Sequence, residues 1–460
     1  MIADVTAWSE ENFGEARLGD PRRTRRLVLS AAKIAQHPQK SFPQVFDWDQ
    51  LRAFYNLCDQ RQATLQAIQT PHWLSTRAAM AQMPLALIVH DTTFLDFGTH
   101  EALAGRGPIG DGDGTGFLQH NSLAFSPDGA RLLGLSCQQL YVRQAAPKKE
   151  TRRAKKKRDR ESLLWLEGIR AAGEPPEGSV WVDVGDRGAD IYEAMEAAFF
   201  VDHDFLFRAC QNRIVYSDAA HTQEVYLLDF ARGLGAAGVG VVDVPGRGGR
   251  PARQARVKLA AAPVWVPAPT TAARRESRPV LACWVVRVWE PDPPAGAEPL
   301  SWVLLTSVET VTLEQIKERR DWYRVRWCAE VYHDVEKNGC SEEDRRFETA
   351  ERMWACLAIL AVVAVRVYQL RLAVRETPDA PAAQVATAEE VEVLRRHTSS
   401  RARGWTVRDF VLAVARLGGF LGRKGDGLPG VRSLWRGYQR LQDMVAGFRL
   451  QRPAQVHLPP

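Results

Sequence analysis

The sequence predicts an α/β protein: a strand-and-helix core, interrupted by a β-rich block and flanked by two helical, basic ends. Three observations carry this. Between about residues 85 and 200, short apolar runs that close on an acidic residue alternate with helix-like stretches, the pattern of strands separated by helices. Residues 203–310 are Val-, Trp- and Pro-rich, with short alternating runs and turn signals such as Pro245-Gly-Arg-Gly-Gly249, which reads as a β subdomain. Both ends lack strand-like patterning and hold most of the basic clusters.

The chain has 460 residues. At roughly 100–200 residues per domain, that allows two to four domains and a sizeable core. Hydrophobic residues make up 45% and charged residues 25%, which excludes a collagen, a disordered tail protein and a disulfide miniprotein. Seven cysteines are spread singly with no CxxC, so neither a disulfide framework nor a zinc knuckle is expected. The net charge of +6 is mild, but it is unevenly placed. Lys and Arg outnumber Asp and Glu by seven to one over residues 17–40, nine to two over 148–160 and eleven to two over 395–440. Those segments hold a surplus of +22, leaving −16 for the remainder. Basic charge concentrated on an acidic background is the pattern of a polyanion binder. Met1-Ile2-Ala3-Asp4 has neither the basic nor the apolar part of a leader. The longest apolar run, Trp354 to Val365, has twelve residues, too few to span a bilayer and better read as a buried helix. The expectation is a soluble, cytoplasmic, nucleoid-associated protein without a membrane partner.

Residues 8–80 read as helical. Gly19-Asp20-Pro21 signals a helix start, with Asp able to cap and Pro at the first helical position. The helix that follows carries Arg22, Arg23, Arg25 and Arg26, either a solvated basic face or a phosphate-contacting one. Leu85–His90 is read as a buried strand ending in Asp91. A Gly-rich loop at 105–116, strands near 117–126 and 131–143, the Lys/Arg run at 148–160 and a helix at 161–172 follow. Val180–Val184 reads as a strand ending at Gly185-Asp186, with a helix from about Ala189 to Phe200. Beyond the β block, helix returns from about 312 to 373, and a Pro/Ala-rich linker at 376–388 precedes a final helical region at 389–448.

Several motifs are set aside. Gly233-Leu-Gly235-Ala-Ala-Gly238 matches GxGxxG, but Val239-Gly-Val-Val-Asp243 reads as a strand where a dinucleotide site needs a helix N-terminus. Asp111-Gly-Asp113-Gly-Thr115 resembles a calcium loop, yet its twelfth position is Ser122 rather than Glu. Neither GxxxxGK[ST] nor GxSxG occurs.

The chemistry is expected of three carboxylates. Asp91 and Asp186 each close a strand of apolar alternate residues, at a sheet edge where catalytic groups commonly emerge; capping a turn is the alternative role. Asp183, one face removed, is the weaker candidate. On a helix from Leu313 to Asn338, at about 100° per residue, Tyr323, Arg326, Glu330 and Lys337 fall at roughly 0°, 300°, 340° and 320°, one stripe. Three carboxylates without a Cys or His cluster suit two Mg²⁺ ions, with Mn²⁺ as substitute. Two such ions about 4 Å apart activate a water or a 3′-hydroxyl and stabilise the leaving oxygen at a phosphodiester.

Tyr323-Arg-Val-Arg326-Trp-Cys-Ala-Glu330, continued to Lys337, resembles the Tyr-x2-Arg-x3-Glu-x6-Lys signature of one group of bacterial DDE insertion-sequence transposases. His90-Asp91-Thr92-Thr93 resembles that family's first-aspartate block, and Gly185-Asp186-Arg187-Gly-Ala-Asp190-Ile191-Tyr192 its second. The resemblance reaches both ends, through Leu18–Val28, Ala415–Phe420 and Leu434-Trp435. It implies an RNase H-like catalytic core over residues 76–375, with 203–310 as a β-rich insertion. A helical transposon-end DNA-binding domain would occupy 1–75 and a helical dimerisation region 389–460. It further implies that Asp91, Asp186 and Glu330 are catalytic and hold both metal ions, and that Tyr323, Arg326 and Lys337 grip phosphates beside the cleavage site. Trp302 would stack on a flipped-out base, a strand-core tryptophan being the alternative. Arg208 would lie near the same DNA end, and Arg26, with Arg22 and Arg23 beside it, would contact the transposon end. Gln36 and His37 depart from the family's end-reading residues, so the recognised sequence should differ. The basic run 148–160 is read as a clamp on target or flanking DNA, or as a plain solvated run.

The function so implied is a cut-and-paste DNA transposase, acting as a homodimer on double-stranded DNA, both inverted-repeat ends and target, with a hairpin intermediate. A metal-dependent nuclease without strand transfer and a catalytically silent DNA-binding regulator are the alternatives.

Overall fold

A computed structural model of the chain describes residues 3–144, 160–244, 252–269, 279–400, 402, 404–423 and 426–451. The basic run at 148–160, Arg160 apart, and the turn at 245–249 lie outside the described residues.

The chain opens with α1 (Val5–Phe13), α2 (Pro21–Gln36), α3 (Phe42–Val45), α4 (Trp48–Cys58) and α5 (Leu65–Ala81). Polar caps start four of them: Asp4, Asp20, Asp47 and Thr64 each accept a backbone N–H of the first turn. Such a cap contributes about 1 kcal/mol. A twelve-stranded sheet among the described residues follows. Its first half comprises β1 (Leu85–Asp96), β2 (Gly107–Pro108), β3 (Thr115–Phe125), β4 (Leu132–Tyr141), β5 (Val180–Gly185) and β6 (Asp204–Arg208). Strands β1, β5 and β6 run parallel, while β3 pairs antiparallel with β1 and β4 with β3. Crossover helices α6 (Leu163–Ala172) and α7 (Tyr192–Phe200) separate the parallel strands, as parallel pairing requires.

The second half comprises β7 (Ile214–Tyr216), β8 (Glu224–Tyr226), β9 (Gly238–Val244), β10 (Arg253–Pro267), β11 (Val280–Trp289) and β12 (Ser301–Thr306), with the short α8 (Leu227–Gly233) among them. The sequence assigns β6 to this β-rich block, but β6 is the parallel neighbour of β5. Strand β12 then bonds to β6 with Leu304 opposite Arg208. The block therefore extends the central sheet instead of forming a separate one. Strand β9 does follow the rejected glycine motif.

Two further expectations are corrected. Strand β1 does not end at Asp91: β3 keeps pairing with it as far as Asp96 opposite Gly116. Nor is the helix over Leu313–Asn338 regular. It consists of α9 (Leu313–Val325) and α10 (Trp327–Asp334), joined at Arg326, and then a π turn over Val335–Gly339. At the junction the chain tightens, Arg326 N bonding Tyr323 O at 3.2 Å and Ala329 N bonding Arg326 O at 3.0 Å.

Helix α11 (Ala350–Glu376) is apolar all round and is buried accordingly. It is longer than the twelve-residue run suggested. By length and composition it could cross a membrane, but 89% of its most apolar stretch is buried inside the protein. One apolar cluster runs from Val5, Trp8 and Phe54 through Leu87, Val89 and Val182 to α11 and Trp435, so both ends of the chain share the core. Each fully buried Leu, Ile or Val there contributes about 1.5–3 kcal/mol. The expected linker at 376–388 is folded, with a short turn at Ala382–Gln384 and a bridge from Pro381 to Thr406. Helices α12 (Ala388–His397), α13 (Val407–Leu417) and α14 (Val431–Gln451) pack over a second apolar cluster.

Candidate active site and nucleic-acid interface

Sheet register brings the two aspartates together. Strand β5 stops at Gly185, opposite His90, so Asp91 is the first β1 residue beyond the end of its parallel neighbour and Asp186 follows at the same level. Glycine is required at that point, because a Cβ on Gly185 would sit 2.4 Å from the Ala189 Cβ. Asp186 also caps the turn after it, its Oδ1 accepting from Gly188 N at 2.7 Å. Capping and facing the site thus coincide in one residue. Glu330, on α10, approaches from above the sheet, and its charge reaches Asp91 together with that of Asp186. Asp91 is only 9% exposed. Burial, then the like charges of Asp186 and Glu330, push its carboxyl up to about 7 against the pull of Arg326.

Arg326 stands in the gap. Its Nη2 donates to Glu330 Oε1 at 2.7 Å, and its Nη1 lies 3.9 Å from Asp91 Oδ2. Burial opposes the guanidinium charge, but the Tyr323 hydroxyl, Glu330 and Asp91 more than offset it and hold the proton harder than usual. Tyr323 lies beneath, its ring edge-on to Trp302 at 5.1 Å, and its hydroxyl is raised by burial although Arg326 and Arg208 work against the rise. Among the described residues no group of three or more His, Cys, Asp or Glu is drawn close enough to hold a metal ion. The donor set nevertheless fits a hard divalent cation in kind: Asp91 carries the like charges of Asp186 and Glu330 beside it, and Arg326 stands between Asp91 and Glu330.

A cleft of about 910 Å³ opens beside this cluster, lined among others by Arg208, Trp302, Tyr323, Arg326, Trp327 and Arg375. Trp302 is half-buried in the cleft wall, between the stacking and core alternatives, and packs on Tyr323. Arg208 bonds Ser301 O at 3.1 Å. Lys337 lies apart from the others. The π turn carries it to the far end of β1, where it donates to Phe94 O and lies 3.8 Å from Glu343. On α2, Arg22 is paired with the capping Asp20 yet 92% exposed, and Arg26 is half-buried. Arg23 is turned inward to Leu18 O at 2.9 Å and Gln62 Oε1 at 3.2 Å.

Sequence reasoning missed two residues here. His333 lies 3.7 Å from Asp91 Oδ2, held neutral by burial and by Lys337 and Arg326, which push it down to about 3. Its spacing of three from Glu330, which places the two on one helix face, was the available signal. Trp327, inside the quoted signature, is 43% exposed in the cleft. On the other face of β1 and β5, Asp183 is hydrogen-bonded to His90 at 2.8 Å and His203 at 2.9 Å, and His90 to Ser122 at 2.9 Å. Burial works against the Asp183 carboxylate, but the two imidazoles bring it below its usual range. This enclosed network ties β1 to β5 beneath the site.

Both ends of the chain match transposase domain models. Residues 5–63 match the one described as Transposase DNA-binding, and residues 362–455 the one described as Transposase Tn5 dimerisation domain. The transposase DNA-binding segment comprises α1–α4, with Arg22, Arg23 and Arg26 among its residues. The Tn5-type dimerisation segment begins inside α11 and takes in α12–α14. The two segments touch: Lys40 pairs with Asp443 at 2.6 Å. Among solved structures, the piggyBac transposase in a synaptic complex with hairpin DNA aligns with 98% of this chain and 78% of that chain, at 10% identity and a TM-score of 0.36. That likeness is too distant to bear on the site.

Proposed function

We propose that the protein is a cut-and-paste DNA transposase that works as a DNA-bound homodimer. The observation that carries the reading is that Arg326, in the wall of an arginine-lined cleft, stands between Glu330 and Asp91, with Asp186 at the level of Asp91, in a chain whose ends match transposase DNA-binding and dimerisation models. The strand order β4-β3-β1-β5-β6, parallel through β1, β5 and β6, supports an RNase H-like core over 76–375, with the insertion beginning after β6. Residues 1–75 would then bind the transposon ends, and residues 389–460, with the last turns of α11, would form the dimer.

Asp91, Asp186 and Glu330 would hold two Mg²⁺ ions, or Mn²⁺, which would activate a water or 3′-hydroxyl and stabilise the leaving oxygen. The chain's own residues do the rest. Arg326, Arg208 and Tyr323 line the cleft and would fix the phosphate next to the scissile bond, where preorganised donors stabilise charge as it develops. Trp302 and Trp327 offer aromatic surface to a base displaced from the stack, and such stacking contributes about 1–3 kcal/mol. The reaction would nick one strand at each end, form a hairpin through the freed 3′-hydroxyl, open it with water and join the ends to target DNA.

The test uses a duplex from the DNA bordering the coding sequence. Asp91→Ala, Asp186→Ala and Glu330→Ala should each abolish Mg²⁺-dependent cleavage and joining to supercoiled DNA while leaving duplex binding intact. Substantial cleavage by any of the three would sink the assignment.

A further inference from the structure

Arg326 has two sets of partners that cannot be satisfied at once. In the structure its guanidinium bonds Glu330 at 2.7 Å and faces Asp91 at 3.9 Å, so it occupies lone pairs that a cation between these carboxylates would need. The same side chain lines the cleft, beside Arg208 and Tyr323, where a backbone phosphate would enter. A guanidinium cannot lose its charge at any ordinary pH, so it leaves the carboxylates only by moving. A phosphate can draw it off, because its oxygens match the planar fork as well as a carboxylate's do. At the junction of α9 and α10, Arg326 also sits where the helix departs from regular geometry.

We infer that Arg326 is a substrate-gated counter-ion: without DNA it closes the carboxylate cluster to metal, and an incoming phosphate pulls it away and opens the site. This rests on the transposase reading and adds to it an order of assembly, DNA phosphate before metal. Metal and DNA then strengthen each other's binding by the same factor, as linkage requires. The arrangement would keep a free protein from holding reactive metal until an end is in place.

Mn²⁺ binding to the full chain, followed by electron paramagnetic resonance of the free ion, tests this without turnover. The probe is Mn²⁺ alone, or Mn²⁺ with a pre-cleaved duplex from the DNA bordering the coding sequence. The duplex should raise Mn²⁺ affinity about tenfold, within the usual range of coupling between sites. Arg326→Gln should bind Mn²⁺ about tenfold more tightly without DNA and gain little from the duplex. Arg375→Gln, which removes an exposed charge of the cleft wall that is not ion-paired to the carboxylates, should leave Mn²⁺ affinity unchanged. If Arg326→Gln unfolds, Arg326→Lys serves, with an intermediate affinity expected from an ammonium that reaches only one carboxylate. Equal Mn²⁺ affinity in wild type and the Arg326 variant overturns the inference and leaves the metal site standing, as does equal tightening by Arg375→Gln. Mn²⁺ bound by no form, with or without duplex, removes the metal site and the inference with it.

Discussion

At the scale of single residues, charge and burial set different limits on what each side chain can do. Glu342 is fully buried with both oxygens unpartnered, next to Glu336, which accepts from Gln119 at 2.7 Å and Asn121 at 2.9 Å. Burial raises both carboxyls, Glu342 from its ordinary 4.5 to about 8. The folded state therefore binds this proton more tightly than the unfolded chain. Its stabilising contribution is full below about 4.5 and is lost as pH rises to about 8. Glu342→Gln should accordingly raise the melting temperature at pH 8.5 by several degrees relative to wild type and change it little at pH 4.5; equal shifts at both values would contradict this. Arg22 and Arg25 are exposed, and the sequence names both on composition alone. Replacing each with Gln should lower the slope of log affinity against log salt for end DNA by about 1 per residue. Arg23, turned to Leu18 and Gln62, should change that slope little and stability more. Its role was not legible, since four adjacent arginines look alike until the helix is packed.

At the scale of elements, regular periodicity was the readable part. Strands β3, β4 and β5 and the cap of α2 lie where alternation and Asp-Pro place them. Irregular geometry was not readable, because contacts distant in sequence impose it. The π turn over Val335–Gly339 exists where Trp435 of α14 closes on Gly339; a Cβ there would stand 2.9 Å from the Trp435 ring. Gly339→Ala should therefore cost about 1–3 kcal/mol in chemical denaturation, through overpacking. It should also release Lys337 from Phe94 O, seen as faster hydrogen exchange at the end of β1. A loss below about 0.5 kcal/mol, the range of an ordinary surface change, would show that the turn is not held by this contact. The end of β1 was misplaced for a related reason. The charge of Asp91 looks like a strand stop, yet the strand continues because β3 supplies hydrogen bonds on its other side.

At the scale of the whole molecule, α11 joins the parts. It contacts α2, α4, α5, β4, α13 and α14, so the helices that match the DNA-binding model and those that match the dimerisation model are packed on one buried rod. Tyr332 fastens α10 to it, donating to Ala361 O at 2.8 Å. Tyr332→Phe should lose about 1 kcal/mol of stability in urea unfolding. It should lower end cleavage more than end binding, because Glu330 rides on α10; equal losses in both would count against this linkage. The Lys40–Asp443 pair is more than half exposed on its acidic side and contributes at most about 1 kcal/mol, so the ends are held mainly by apolar packing.

The sequence by itself determined the α/β class, the basic ends, the three carboxylates and the signature around Glu330, because each depends on residue type and local spacing. Tertiary structure alone decided that Asp91 and Asp186 meet at one level of the sheet, that β6 belongs to the core, and that Lys337 turns away while Arg326 fills the gap. Those facts depend on strand register and on which side chains are buried together. Register and burial are fixed by contacts between residues far apart in the chain, and no local pattern encodes them.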